Sequence, residues 1–221
     1  MLEDTNVEKP SLVGMITNPT EQFERIRKQP LIWGAMGIII ILFIIGLWLS
    51  SLGIDFSEVI TTENELIIEE EFEEFVKAFE KIGFFIGGII GPILGVLVSS
   101  VIYLLVAKIV QSAVTFRQLF SMNTYIMIIT VLGVIINGIF FAIFGGQFED
   151  QFTSLGSLIN LQGPVGIVFD NLEVFSIWNL ILTAIGLEKV ARFSKGLAWA
   201  VPITIFVIGI LFAVMGANIE I

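Results

Sequence analysis

Five long apolar stretches dominate this chain of 221 residues. A bilayer core about 30 Å thick is crossed by roughly 20 consecutive apolar residues. Hydrocarbon offers backbone groups no hydrogen-bonding partner, so a spanning segment of this kind must be helical. The sequence therefore predicts an all-α polytopic integral membrane protein with five transmembrane helices, at residues 31–53, 82–106, 125–144, 167–187 and 197–217.

The positions of the basic residues indicate how these helices are oriented. If the N-terminus is inside the cell, all of the 11 Lys and Arg residues except Lys77 and Lys81 fall on the cytoplasmic side. Basic loops are retained on that side of a membrane. Five crossings then place the C-terminus outside.

The length leaves room for one domain. We predict a flexible polar N-terminal tail at residues 1–17 and a single five-helix membrane domain at residues 18–221. Residues 54–81 form its acidic outer loop, with ten carboxylates and two lysines. Such a loop would suit a cationic peptide, a metal ion or a basic protein partner, and simple solvation is the alternative.

Three shorter segments are predicted to form helices at the membrane boundary. Residues 18–29 open on Asn18-Pro19, a favourable helix start, and would lie on the inner membrane surface or act as a plain connector. Residues 63–80 have the apolar period of an amphipathic helix that runs into the second span. Its phenylalanine stripe must pack against the membrane, another loop or a partner. Residues 115–120 are predicted to form a short interfacial helix.

The second predicted span carries a small residue at every fourth position. Such a stripe makes a flat groove along one side of a helix, which lets another backbone approach closely. Each glycine costs about 1 kcal/mol of helix propensity relative to alanine in water, so close packing would have to offset that cost. We expect the partner helix to be internal, and a helix of another subunit is the alternative. The groove consists of Gly83, Gly87, Gly91, Gly95 and Ser99.

The fourth predicted span is the least apolar. Asp170 and Glu173 are three residues apart and would share one helix face, where a carboxylate pair could bind a cation or carry a proton. The alternative is that both reach water at the end of the span. Asn179 completes this candidate polar site, although Asn137 and Asn179 are better interpreted as interhelical hydrogen-bonding residues.

Nothing in the sequence indicates catalytic chemistry. The chain has no Cys and no His, so it lacks thiolate ligands, the commonest general base and the commonest zinc ligand. Phosphate-loop, zinc-protease and nucleophile-elbow motifs are absent as well. We predict a protein that is not an enzyme, with no catalytic residues, metal or cofactor and no evident nucleic acid or small-molecule partner.

Short motifs accompany three of the spans. Asn18-Pro19-Thr20 precedes the first span and Thr115-Phe116-Arg117-Gln118-Leu119-Phe120 precedes the third. Phe175-Ser176-Ile177-Trp178-Asn179-Leu180, followed by Ala184-Ile185-Gly186-Leu187, lies in the fourth. In this order and spacing they resemble the YIP (Ypt-interacting protein) membrane domain family, whose motif residues here include Phe175, Trp178 and Gly186.

The resemblance is strongest to the short bacterial members of that family. One type of these accompanies an ABC exporter that protects cells from a secreted peptide toxin. The resemblance implies a scaffold in a bacterial plasma membrane, surrounded by membrane lipid, that acts as an accessory or assembly subunit for a transporter or adaptor. The competing hypothesis is a small transporter or cation conduit that uses Asp170 and Glu173.

Overall fold

Helices make up the regular structure of the computed structural model, which describes residues 8–54, 56, 70–146, 150–159, 161 and 163–217. Four of them, α3, α4, α5 and α9 below, are long and apolar enough to cross a membrane. The predicted all-α class is confirmed, but the fourth predicted span is divided between two helices. The helices are α1 (Leu12–Thr17), α2 (Pro19–Lys28), α3 (Trp33–Ser51), α4 (Glu70–Ile109), α5 (Phe116–Phe144), α6 (Gly156–Ile159), α7 (Gly163–Asn171), α8 (Val174–Lys189) and α9 (Lys195–Ala217).

The segment before the first span is folded, at least from α1 onward. Ser11 caps α1 by accepting a hydrogen bond from the Gly14 amide, and the Ser11 amide donates to the Gln22 side chain at 2.8 Å. Met15 is completely buried. The prediction of a flexible tail is therefore wrong for α1, because Met15 anchors it in the core; residues 1–7 lie outside the described part.

α2 is part of the bundle. Phe23 and Ile26 are completely buried in the main core, together with residues of α5 and α8. Gly186 of α8 makes room for α5 and α2, because a Cβ atom there would lie 2.7 Å from the Met122 sulfur and 3.1 Å from the Phe23 ring. The predicted helix is confirmed, but its apolar face contacts protein instead of the membrane surface.

α4 and α5 are both longer than the spans predicted within them. The 40 residues of α4 extend about 60 Å, twice the thickness of a hydrocarbon core. The helix that runs into the second span is thus confirmed from Glu70 onward, and residues 63–69 lie outside the described ranges. α5 begins with a capping box formed by Thr115 and Gln118. The separate interfacial helix at residues 115–120 is wrong, since these residues form the first turn of α5.

Glycines allow α3 and α5 to pack closely. A Cβ atom at Gly138 would lie 2.6 Å from the carbonyl oxygen of Gly46. At Gly53 it would lie 1.7 Å from the carbonyl oxygen of Phe141. Because both obstacles are backbone atoms, a rotamer change could not relieve either clash. The contact between these two helices therefore depends on glycine.

Two neighbouring connections form one end of the bundle. Gln111 follows α4 and Arg192 follows α8, and both have left-handed backbones, with φ of 58° and 59°. At Gln111 this conformation belongs to a Schellman cap, in which the Ser112 amide donates to the Ala107 carbonyl at 2.8 Å. Glycine is the usual residue at such positions, because the left-handed backbone raises the conformational energy of a residue with a Cβ atom by about 1 kcal/mol. The Ser112 hydroxyl donates to the Ala191 carbonyl at 2.5 Å and joins the two connections.

Candidate functional site: a polar cavity inside the bundle

A cavity of about 710 Å³ lies among α3, α4, α5, α8 and α9. Its walls combine apolar side chains with ten polar ones. Within a membrane bundle, polar side chains concentrate where helices face one another or a water-filled space. The polar residues that line the cavity are Ser50, Tyr103, Thr130, Asn137, Asp150, Gln151, Glu173, Ser176, Asn179 and Thr183.

Glu173 sits where the fourth predicted span breaks. Its backbone is extended and its side chain caps α8, accepting a hydrogen bond from the Ser176 amide at 2.7 Å. The other carboxylate oxygen accepts from the Thr153 hydroxyl, also at 2.7 Å. Glu173 is only 7% exposed. The alternative of a helix end that simply reaches water is therefore wrong for this residue.

The break itself is held by backbone hydrogen bonds to the preceding connection. The Leu155 amide donates to the Leu172 carbonyl at 3.1 Å, and the Val174 amide donates to the Thr153 carbonyl at 3.3 Å. Backbone groups at membrane depth need partners within the protein. These bonds supply partners at the point where the helical ladder is interrupted.

Asn137 extends the hydrogen-bond chain from Glu173 into the cavity. Its side-chain NH₂ donates to the Thr153 hydroxyl at 2.8 Å and to the Gly133 carbonyl at 3.0 Å. Its Oδ1 atom is buried and has no hydrogen-bond partner in the described part of the chain. A buried acceptor without a partner costs about 1–3 kcal/mol, so a donor in the cavity would be bound favourably there.

Asn179 forms a second polar link, between α8 and α5. Its side-chain NH₂ donates to the Thr130 hydroxyl at 2.9 Å, which is the interhelical role expected from the sequence. The Thr183 hydroxyl lies 3.5 Å from the Asn179 Oδ1 atom. Asn179 thus lines the cavity and also joins α8 to α5 by a hydrogen bond.

Asp170 does not join this site. It lies on α7, before the break, and it does not line the cavity. Its carboxylate packs against Gly156, where a Cβ atom would lie 1.7 Å from Oδ1. The prediction that Asp170 and Glu173 share one face of a continuous helix is wrong, because the chain leaves the helical path at Leu172 and Glu173.

The charge of the cavity lining is negative. Glu173 and Asp150 contribute carboxylates, and no Lys or Arg is among the lining residues described. Within the same described part of the chain, Asp, Glu, His and Cys residues form no group of three that could hold a metal ion. The lining is suited to a small cation or a hydrogen-bond donor.

The glycine groove lies elsewhere, on the outside of the bundle. Gly83, Gly87, Gly91 and Gly95 are exposed, and a Cβ atom at any of them would meet no described atom within 4 Å. Ser99 alone reaches α5, where it accepts a hydrogen bond from Asn123 at 3.1 Å. Among the described helices, therefore, none packs on these four glycines as the expected internal partner.

The three motif residues serve packing. The rings of Phe175 and Trp178 stack with their centroids 6.5 Å apart. Phe175 also covers Gly133 of α5, where a Cβ atom would lie 3.0 Å from the ring. Gly186, as described above, admits the Phe23 ring. The motif therefore positions α8 against α5 and α2.

Sequence reasoning missed Thr130 and Tyr103, which line the cavity, and Thr153, which binds Glu173 and Asn137 beside it. Thr153 lies in a connection, 16 residues after Asn137 and 20 before Glu173, so no helical spacing relates it to either. Thr130 and Asn137 are seven apart within one apolar stretch. That spacing places them on one helix face and could have indicated a polar stripe on α5.

Comparisons with known proteins agree with the motifs. The sequence profile of the Yip1 domain matches residues 13–216. A Bacillus subtilis (strain 168) protein, called membrane protein YknW, is 35% identical over 218 residues, which cover 98% of this chain and 94% of that protein. No solved structure matches the chain significantly.

Proposed function

The chain belongs to the Yip1 domain family, and from that membership we propose that it is a non-enzymatic membrane protein that assembles with a membrane transporter and supports it. The more specific form of the proposal is an accessory or assembly subunit of an ABC exporter linked to peptide-toxin resistance, in the plasma membrane of a bacterium. This form rests on the resemblance to the short bacterial members of the family.

The outward-facing glycine groove is the observation that carries the proposal. Its four glycines expose backbone on the outer surface of α4. In a membrane, a groove of small residues gains stability when another helix packs into it closely. Since no described helix of this chain occupies the groove, a helix of another protein is the partner we propose.

Other surfaces support an assembly role. α4 is about twice as long as a bilayer core is thick, and Phe79, which precedes the groove, is 68% exposed. This part of α4 would meet a partner outside the membrane. On α2, the apolar face is buried in the core, and the exposed polar face, with Glu24 and Lys28, is open to a cytoplasmic partner.

The path of the chain supports five crossings with the N-terminus inside. The 16 residues of α8 extend about 24 Å. They run from the cavity, beside the last turns of α5, to the end of the bundle where α4 finishes. With α7 and the break included, this stretch would return the chain across the membrane. Nearly all basic residues then lie on one side, as the retention of positive loops requires.

The groove can be tested by substituting leucine at Gly87 and Gly91 together. The full chain, with an affinity tag, would be extracted in mild detergent from a bacterium that encodes a protein of this family. The proteins that are purified together with it would then be identified. We expect an ATPase, permease or adaptor with the native chain. We expect at least a tenfold loss of that partner with the double variant, because the leucines fill the groove.

Gly209→Leu is the matched control, since Gly209 on α9 is also exposed and a Cβ atom there meets nothing within 4 Å. It should retain the partner. All three proteins should accumulate equally. A double variant that keeps its partner, or a native chain that is isolated alone, would contradict the proposal.

A small transporter or cation conduit is the second candidate function, and the polar cavity is the observation that favours it. The cavity contains Glu173 and Asn179, and α7 and α8 form a discontinuous helix, a common device at ion sites of transporters. Asp170 has no part in this candidate, because it lies outside the cavity lining.

Reconstitution in liposomes separates the two functions. If the chain is a conduit, Glu173→Gln should abolish at least nine-tenths of the cation flux, and Asp170→Asn should leave it unchanged. A native chain without measurable flux would eliminate the conduit. Equal losses in both variants would show that the cavity is not the path.

A further inference from the structure

A second cavity, of about 590 Å³, lies at the end of the bundle where α4 and α8 finish. It is formed by the last turn of α2, the connection from α4 to α5, the connection from α8 to α9 and the start of α9. Its position is fixed by two hydrogen bonds between these parts. One is the Ser112–Ala191 bond described above, and in the other the Gln118 side chain donates to the Arg27 carbonyl at 2.7 Å.

The lining of this cavity is positively charged. Arg27 and Arg192 both contribute to it, and no carboxylate does. Neither arginine side chain forms an ion pair or a hydrogen bond with any residue that the structure describes. Arg25, two residues before Arg27, is paired with Glu21 and Glu8. Two unpaired guanidinium groups on one cavity favour a bound anion, and arginine forks match phosphate oxygens in geometry.

The backbone at this cavity gives a second, independent indication. Gln111 and Arg192 are the two described residues other than glycine with positive φ, and both line this cavity. Glycine would adopt this conformation without strain. Strained backbone that persists is found preferentially at ligand sites. The chain keeps a long polar side chain at each position, which is understandable if those side chains act on a ligand.

The other lining residues indicate to what kind of molecule the anionic group belongs. Val110, Val114 and Leu197 line the same cavity, and apolar side chains of α4 and α9 near it, such as Ile109 and Ile203, are exposed on the outside of the bundle, where a membrane would contact them. A ligand that pairs with the two arginines and also contacts these apolar side chains has a phosphate group joined to hydrocarbon. Basic pockets between transmembrane helices bind phospholipid head groups in this way.

We propose that this cavity binds the phosphate group of an anionic phospholipid, held between Arg27 and Arg192. The proposal is independent of the accessory role, because it concerns the opposite end of α4 from its extended segment and does not involve the glycine groove.

The test uses the full chain in a neutral detergent and three variants. The probe is phosphatidylglycerol, with phosphatidylcholine as the zwitterionic reference, and the readouts are lipid retained in native mass spectrometry and the lipid-dependent rise in apparent unfolding temperature. We expect phosphatidylglycerol to be retained in preference to phosphatidylcholine. Arg27→Gln and Arg192→Gly should each weaken its binding about fivefold or more, as expected for loss of one basic residue at a lipid head group.

Arg117→Gln is the matched control, because Arg117 is exposed at the same end of the bundle but does not line the cavity. It should weaken binding less than twofold. Arg192→Gly should leave the unfolding temperature without lipid unchanged or higher, since glycine fits the left-handed backbone. This combination of lower affinity with undiminished stability separates a binding role from a structural one.

Three results would overturn the proposal. Equal binding of phosphatidylcholine would show that the phosphate site does not select for anionic lipid. An equal effect of Arg117→Gln would show diffuse surface attraction. Displacement of the lipid by millimolar glycerol phosphate, which has the phosphate but no acyl chains, would assign the cavity to a soluble phosphate compound.

Discussion

Glu173 combines three roles in one carboxylate. It caps α8, accepts the Thr153 hydroxyl and lines the polar cavity. A buried carboxylate is expensive unless hydrogen bonds replace its water. Among the described residues each of its oxygens has one donor, so the stability of the break depends on both donors remaining in place.

Thr153→Val tests this dependence. The substitution keeps the shape of the side chain but removes the hydroxyl that Glu173 and Asn137 share. A buried polar group that loses its partner costs about 1–3 kcal/mol, which corresponds to roughly 3–10 °C in a chain of this size. Unfolding in detergent, followed by tryptophan fluorescence, would measure the decrease.

The control for this prediction is Thr204→Val. Thr204 is exposed on α9, so its hydroxyl has no buried partner to lose. Its variant should unfold within about 1 °C of the native chain. If the two variants were equally stable, the hydrogen-bond chain through Thr153 would contribute nothing to stability.

The polar site was predictable only in part. The sequence points to Glu173 and Asn179 because charged and amide groups are costly within an apolar stretch. Spacing by three predicts that Asp170 shares a helix face with Glu173, but that rule holds only in a continuous helix, and the helix is interrupted at Leu172. Thr153 could not be found, since its contacts with Asn137 and Glu173 arise from tertiary folding.

The glycines that allow close contact between α3 and α5 are not those of the glycine groove on α4, which the sequence pattern singles out. Gly46, Gly53 and Gly138 lie where backbone approaches backbone, but they do not recur at every fourth residue. The regular stripe on α4 faces outward. Periodicity identifies a surface on which helices can pack closely, but it does not say whether the helix that packs there belongs to the same chain.

Gly138→Ala should therefore be more harmful than Gly91→Ala. The added methyl group at residue 138 meets the Gly46 carbonyl oxygen at 2.6 Å, and such overpacking costs about 1–3 kcal/mol. At residue 91 it meets no described atom within 4 Å, and alanine is the better helix former. The apparent unfolding temperature of the isolated protein in detergent should fall for the first variant only.

One outcome of this pair of substitutions would contradict the prediction. If Gly91→Ala destabilised the isolated protein as strongly as Gly138→Ala, the groove on α4 would have to be packed within one chain. The outward position of the groove would then be wrong.

The long helices of the bundle run in two opposite directions. α3, α5 and α9 begin at the end that holds the second cavity, and α4 and α8 finish there. Hydropathy predicted α3 and α9 well, because each is a nearly unbroken apolar run, but it placed the start of α5 nine residues too late because the first turns of that helix are polar. It did not reveal that α1 is anchored by Met15, since a single buried side chain in a polar segment has no periodicity.

The absence of cysteine from the sequence makes the orientation directly measurable. Thr62→Cys should react with a membrane-impermeant maleimide in intact protoplasts, because the acidic loop is proposed to lie outside. Arg117→Cys, at the start of α5, should react only after lysis, because that end of the bundle is proposed to lie inside. The reverse pattern would contradict the orientation, and labelling of both before lysis would show that the two sites lie on the same side.

The docking of α2 has a consequence for the order of assembly. Phe23 packs against Gly186, 163 positions later in the chain. During translation the packing of this helix can therefore be completed only after α8 has been made and inserted. A product truncated before α8 would leave Phe23 and Ile26 without the cover that α8 supplies. Membrane proteases could recognise the exposed apolar face of α2 in such a fragment, whereas this face is buried in the finished protein.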